Sequence, residues 1–468
     1  MAGKLRIEHP PSWGMERRYI YHVLLHEFLG SEYVTEVCER QDVRITLDGD
    51  GENRELILPD VLFQTPASKW LTAASLPSTP LSWWKLPASL SITRGVCTRI
   101  PVLYGLALDE MYYMETNKGV ILGIDIFGSA FFMLTRYEEG VKPDRDRYGR
   151  FPASASLAFQ QGFLERPVVN EYLEVFWAVL QRLWPGLRRE PRIHRVLLSH
   201  DLDMPLGVVG KHPAWVLGSA LADVALRRDV SLALRRLSAY CKVRHGHFDA
   251  DPYDTFDFVM DLSEQYGRES AFYFMTDHSS DTMDGSYSLD HEWFRALIRR
   301  IHQRGHEIGL HTSYNTYLDP VQTQWEFQKL RQVCSEEQVD QVTWGGRQHY
   351  LRWANPTTWQ NWESAGLDYD HTLTFADHIG FRCGVCYEYP VFNLKTRQSL
   401  KLRERPLIVM EGTLLNYMRL AWEGAYDKIL ALNAVCRSFG GDFTLLWHNH
   451  MLISQQQRYW YRMLCAGL

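Results

Sequence analysis

The residues of this chain best spaced for chemistry are two carboxylates, Asp201 and Asp203, in the stretch RVLLSHDLDMP from Arg195 to Pro205. Val196, Leu197 and Leu198 read as a buried strand, and alternation along it sends Asp201 and Asp203 one way and His200 and Leu202 the other. In a parallel sheet or barrel both acids would emerge at the carboxyl edge, where α/β folds assemble their sites. A carboxylate pair there can hold a metal ion, act as a general base, or divide the two tasks. The plainer alternative is an acidic turn in which Asp203 caps the next segment of chain.

A second candidate lies a hundred residues later, in GHEIGLHTSYNTY from Gly305 to Tyr317. His311 ends a predicted strand and Asn315 stands four residues on. If the chain turns helical after His311, the two side chains share a face and can converge on one ion. Taken alone, His311 fits a backbone-bonded histidine equally well.

Positioning such groups needs a sizeable scaffold. At 468 residues the chain is long enough for two or three domains, and its 46% hydrophobic and 23% charged residues are those of a globular protein with a large core. A net charge of −6 provides no basic field for a nucleic-acid backbone, so that partner class is disfavoured. Sixteen tryptophans could stack on sugars but suit a large core better. The first residues lack the apolar run of a signal peptide, and no segment has the length of apolar residues that spans a bilayer, so a cytoplasmic location is the default expectation. The eight cysteines are scattered, and the single Cys383/Cys386 pair reads as reduced thiols.

The first part of the chain mixes a helix at 17–30, strand-like runs at 55–63 and 100–105, a buried helix at 124–136 and a helical pattern ending at Pro185-Gly186. Between the last two lies a loop dense in Arg and Asp, including DRDRYGRFP, which reads as solvated charge without chemistry. The connector PGLRREPR marks a boundary near residue 190, giving a smaller N-terminal α/β domain over 1–190 and a second domain over 191–468. In that second domain, the strand through Val196, Leu197 and Leu198 and strands at 271–276, 306–311, near 341–345 and at 443–447 alternate with helices, including 290–304, 319–338 and 356–365, the last capped by Asn355. This alternation predicts a parallel α/β sheet or barrel, with a helical insertion over about 211–241.

SHDLD followed by GHEIGLHTSYN, then GGRQHYLRW at 345–353 and LLWHN at 445–449, resembles in order the motifs of the polysaccharide deacetylases of carbohydrate esterase family four, the NodB-homology type. The likeness covers most of 195–450 and none of the first 190 residues, so it resembles a divergent member with an extra N-terminal domain. It implies a distorted (β/α) barrel. It also implies Asp201 as general base, Arg347 as the partner holding it, His448 as general acid, and Asp203, His311 and Asn315 as ligands of a divalent metal ion. Zinc is the first choice, with cobalt, nickel or manganese as alternatives. The implied reaction removes an N-acetyl or related acyl group from an amino sugar in a glycan or glycan precursor.

One departure stands out, because the family has a second histidine where this chain has Asn315. A neutral amide oxygen is a harder, weaker donor than imidazole. Three arrangements are open: Asn315 ligates, His200 or His450 replaces it, or the metal is lost. The last would leave a catalytically degenerate fold that binds a glycan or a partner. A glycosidase using Asp201 is a third possibility, but two same-face acids with a downstream histidine suit metal binding better. His349, Tyr314 and Arg382 are grouped as substrate-binding candidates, with Arg352 and Glu388 beside them, while His306 is expected to bond its loop.

Overall fold

The computed structural model describes residues 3–90, 92, 94–108 and 111–468. Among these the first part of the chain forms β1 (Leu5–His9), β2 (Tyr33–Val37), β3 (Asp42–Leu47), β4 (Glu55–Pro59), a ribbon of β5 (Ser82–Lys85) and β6 (Arg99–Val102), then β7 (Tyr113–Thr116) and β8 (Gly119–Leu122). Apart from the ribbon they make one sheet in the order β2-β1-β3-β4-β8-β7. In β1 the buried Leu5 and Ile7 alternate with the less buried Arg6 and Glu8, the period of a half-covered strand. The helix Ile126–Leu134 is apolar nearly all round and buried along its whole length, with Val168–Leu183 packed against it.

The second part supplies β9 (Arg195–Asp201), β10 (Ser270–Met275), β11 (Glu307–Thr312), β12 (Gly345–Gln348), β13 (Tyr369–Asp370), β14 (Tyr389–Asn393), β15 (Gln398–Glu404), β16 (Val409–Met410) and β17 (Asp442–Leu446). They form a sheet in the order β14-β15-β13-β12-β11-β10-β9-β17-β16. Every neighbouring pair is parallel except β14 with β15. β14 and β16 stand at its two ends, so the barrel is open rather than hydrogen-bonded shut.

The sheet nevertheless curls strongly. Strands β9 and β12 are three positions apart, about 14 Å in a flat sheet, yet Arg347 on β12 reaches Asp201 on β9 across 2.6 Å. Glycines on β12 allow the close approach: a Cβ at Gly346 would meet the Leu310 carbonyl oxygen at 1.8 Å, and one at Gly345 would run into the Tyr369 ring. Outside the curl pack amphipathic helices such as Glu292–Gln303, whose Phe294, Leu297, Ile298 and Ile301 form its buried stripe.

Several elements differ from expectation. The strand anticipated near 341–345 begins at Gly345, because Gln341 is spent bonding Ile308 and Thr343. Asn355 does not cap the helix Thr357–Ala365; its amide instead donates to the carbonyls of Thr135 and Arg136. The expected insertion is two helices, Pro213–Ala225 and Val230–Val243. Trp353, Trp359, Trp362 and Trp447 are fully buried and serve the core, and all eight cysteines are free thiols. A single hydrophobic cluster runs through both parts of the chain. No helix among the described residues is long and apolar enough to cross a membrane.

Candidate metal centre and active site

Strand alternation sorts the residues of β9. Ser199 and Asp201 face into the curl, where Arg347 donates to both, at 2.8 Å to the Ser199 hydroxyl and 2.6 Å to Asp201 Oδ1. His200 faces out, its Nδ1 donating to the Trp447 carbonyl and its ring against Phe272 and Tyr461. Arg347 is wholly buried, and its Nε donates to the His371 carbonyl, so each of its three nitrogens has a partner. The guanidinium therefore fixes one oxygen of Asp201 and leaves the other free.

Beyond the strand, Asp203 meets two histidines. His311 Nε2 lies 2.9 Å from Asp203 Oδ1, and His349 Nε2 lies 3.6 Å from it. Their tautomers are set by partners behind them. His311 Nδ1 faces the Arg347 carbonyl at 2.9 Å and must carry the proton, and His349 Nδ1 does the same toward Asp284 Oδ1 at 2.8 Å. Both Nε2 lone pairs are thereby turned toward Asp203. His311 Nε2 and Asp203 Oδ1 are buried 2.9 Å apart with no other hydrogen-bond partner among the described residues. The ligand atoms of Asp203, His311 and His349 lie within 4.8 Å of one another, a mixed imidazole and carboxylate set suited to a divalent cation. Burial alone would raise the Asp203 carboxyl, but the three histidines around it hold it well below the usual range.

His448, just after β17, closes the far side. Its Nδ1 donates to Glu411 Oε1 at 2.5 Å, and its Nε2 stands 3.4 Å from Asp203 Oδ2. Burial opposes charge on this ring, but the Glu411 and Asp203 carboxylates outweigh it and raise its pKa well above that of a free imidazole. Asp201, Asp203, His311, His349 and His448 line one cavity of about 130 Å³.

Other sequence candidates lie elsewhere. Asn315 is exposed; its Nδ2 donates to the Ser279 carbonyl and its Oδ1 accepts from Arg352, so its side chain is turned away from the metal-ligand group. The chain does not become helical after His311: residues 313–315 form a turn before a short 3₁₀ segment, and the shared face never forms. His349, expected at the substrate, stands with Asp203 and His311 instead. Arg382 is buried in a bidentate pair with Glu139 at 2.6 and 3.0 Å, which ties the two parts of the chain together and does not reach the cavity. Tyr314 packs edge-on against Tyr350, which lines the cavity, while Tyr314 itself does not. Arg352 spreads over the Tyr314 and Tyr317 rings, and Glu388 pairs with Arg403 and Arg405. His306 accepts from the Ser270 N–H, as a loop-bonding histidine would. His200 and His450 lie outside the metal-ligand group.

Three contributors carry no signal in the sequence. Asp284 orients His349 from a loop without periodicity, Glu411 orients His448 from the helical turn that directly follows β16, and Arg150 enters the cavity wall from the stretch that reads as solvated charge.

Comparison with known proteins bears on both parts. Residues 6–185 match a family of unknown function (DUF7033), and residues 241–378 match the polysaccharide deacetylase family. No curated protein matches the chain. Among solved structures, a polysaccharide deacetylase-like protein of Mycobacterium smegmatis is 17% identical, with 59% of this chain and 84% of that one covered at a TM-score of 0.36. A PuuE allantoinase and a polysaccharide deacetylase-like protein of Pseudomonas aeruginosa are each 11% identical at a TM-score of 0.35, over 59% of this chain and 87% and 88% of theirs. Residues 241–378 thus carry a polysaccharide deacetylase family match that supports a deacetylase-type hydrolase, and a separately matched N-terminal region precedes them.

Proposed function

We propose that the chain is a metal-dependent hydrolase that removes an N-acetyl or related acyl group from an amino sugar in a glycan or glycan precursor. One observation carries this reading: three converging donor groups share a cavity with an arginine-held carboxylate and a carboxylate-held imidazole. A divalent cation held by Asp203, His311 and His349, zinc or else cobalt, nickel or manganese, would supply a Lewis acid for the acyl oxygen. Asp201, with Oδ1 engaged by Arg347, takes a proton from the attacking water through its other oxygen. His448, with Nδ1 engaged by Glu411, returns a proton from Nε2 to the departing amine nitrogen. The acyl C–N bond breaks as the C–O bond forms, leaving a free amine and a carboxylate product. A cytoplasmic address, proposed with this reading, would favour a biosynthetic intermediate over finished wall polymer.

The test is acyl release from a panel of N-acetylated oligosaccharides and sugar precursors by purified protein supplied with zinc or cobalt. Acetate should appear in step with free amine, and Asp201→Asn should lower the rate by about 10²–10⁴-fold. No release from any member of the panel, or an Asp201→Asn protein that matches the parent, rejects the proposal.

A further inference from the structure

Arg150 lies in the N-terminal region that matches a family of unknown function, yet it is only 7% exposed and lines the same cavity as Asp203, His311 and His448. The turn that presents it is cross-linked internally. The Asp146 carboxylate accepts the backbone N–H of Tyr148 at 2.8 Å, that of Arg150 at 2.9 Å, and the Arg150 Nε at 2.8 Å. Gly149, at φ 77°, closes the turn with its N–H on the Asp146 carbonyl at 2.9 Å. The guanidinium is then clamped onto the other part of the chain: Nη1 donates to the Tyr350 carbonyl and Nη2 to the Tyr417 hydroxyl, each at 3.1 Å.

A guanidinium has five N–H donors. Asp146 accepts from Nε, Tyr350 from Nη1 and Tyr417 from Nη2, and the Asp146 carboxylate also stands 2.7 Å from Nη2. One Nη1 proton has no acceptor among the described residues. Because Asp146 already balances the charge at 2.7 Å, the remaining donor suits a neutral oxygen better than a phosphate or carboxylate.

We propose that Arg150 is a substrate-binding residue, which donates to a hydroxyl or ring oxygen of the sugar whose acyl group is removed, so that the N-terminal region builds one wall of the catalytic cavity. The inference rests on the reaction proposed above. It gives the N-terminal region a role in specificity: a deacetylase barrel without it would lack this contact.

The test uses the full chain and the same N-acetylated oligosaccharides, and compares the parent with Arg150→Ala and Arg150→Lys by calorimetric Kd, by KM and kcat, by zinc stoichiometry and by thermal midpoint. Arg150→Ala should raise Kd and KM about tenfold or more with zinc stoichiometry unchanged, and millimolar ethylguanidinium should restore part of the loss. Arg150→Lys keeps the charge and most of the stem, so it should fold as the parent does and still bind more weakly. A purely structural clamp would lower the thermal midpoint and kcat without the selective rise in KM, and that result overturns the inference. If the parent binds the sugars without hydrolysing them, the proposed reaction falls while the Kd comparison still decides Arg150. If the parent hydrolyses them and both variants keep its KM, Arg150 falls and the reaction stands.

Discussion

His349 donates its Nδ1 proton to Asp284 across 2.8 Å, and that carboxylate comes from the loop between β10 and the helix Glu292–Gln303. The same Asp284 oxygen accepts the Tyr314 N–H at 2.7 Å, and the other accepts the N–H groups of Ser279 and Ser280 at 2.8 Å. Asp284 thus holds the tautomer and heading of one candidate ligand while fixing the loop that comes after another. Burial would raise its pKa, but the His349 contact and these amides lower it, so it stays a carboxylate able to strengthen the imidazole as a donor. Asp284→Asn, which keeps the shape and removes the charge, is expected to weaken zinc or cobalt binding about 10–100-fold in a chelator competition. Unchanged affinity would mean that His349 does not ligate.

His349 and Asn315 make opposite predictions for the ion. His349→Ala should reduce cation affinity further than Asp284→Asn does, because it removes a donor rather than its support. Asn315→Ala should leave affinity near that of the parent, since the Asn315 side chain is occupied by Ser279 and Arg352. Metal titrations that ranked the two variants the other way would return Asn315 to the ligand set.

Much of the scaffold was legible because burial writes a period into the sequence. The helix Glu292–Gln303 shows it as a stripe of buried residues, while the central strand Arg195–Asp201 and the strands at 270–275 and 442–446 show instead as short apolar runs, because they are buried on both faces. Asp201, Asp203, His311, Arg347 and His448 meet at one cavity edge because the parallel strands that precede or carry them, β9, β11, β12 and β17, belong to a sheet curled enough to bring β12 back to β9. The exchange of Asn315 for His349 was not legible, because it depends on whether the chain after His311 coils as a helix or a turn, and the spacing of four fits both. Asp284 and Arg150 sit in irregular segments and Glu411 in a short helical turn after β16, where position is decided by hydrogen bonds to distant backbone rather than by any local repeat.

Arg347 carries a stability prediction separate from catalysis. With Asp201, Ser199 and the His371 carbonyl as its partners and no exposure to water, it belongs to a buried ion pair whose halves depend on each other. Arg347→Met would leave the Asp201 carboxylate without its counter-charge in a nearly dry site, which is expected to cost about 3–5 kcal/mol. Urea unfolding of the metal-free proteins measures this. A loss below about 1 kcal/mol, within the range of an exposed pair, would contradict the pairing.

His200, on the outer face of the same strand, should make stability fall with acid. Burial, only partly offset by the bond to the Trp447 carbonyl, lowers its pKa from 6.5 to about 4. Above pH 6.5 the ring is neutral both folded and unfolded and adds no pH dependence. Between pH 6.5 and 4 the unfolded chain takes up a proton that the folded one refuses, so stability drops as pH falls, by about 3 kcal/mol over that window. His200→Asn can keep a donor toward Trp447 and removes the titration. The difference in unfolding free energy between parent and variant, measured on metal-free protein at about pH 7 and about pH 4.5, should therefore shift against the parent at the lower pH. A difference independent of pH would mean that the ring protonates freely in the folded state, and that the outer face of β9 is wetter than its packing against Phe272 and Tyr461 implies.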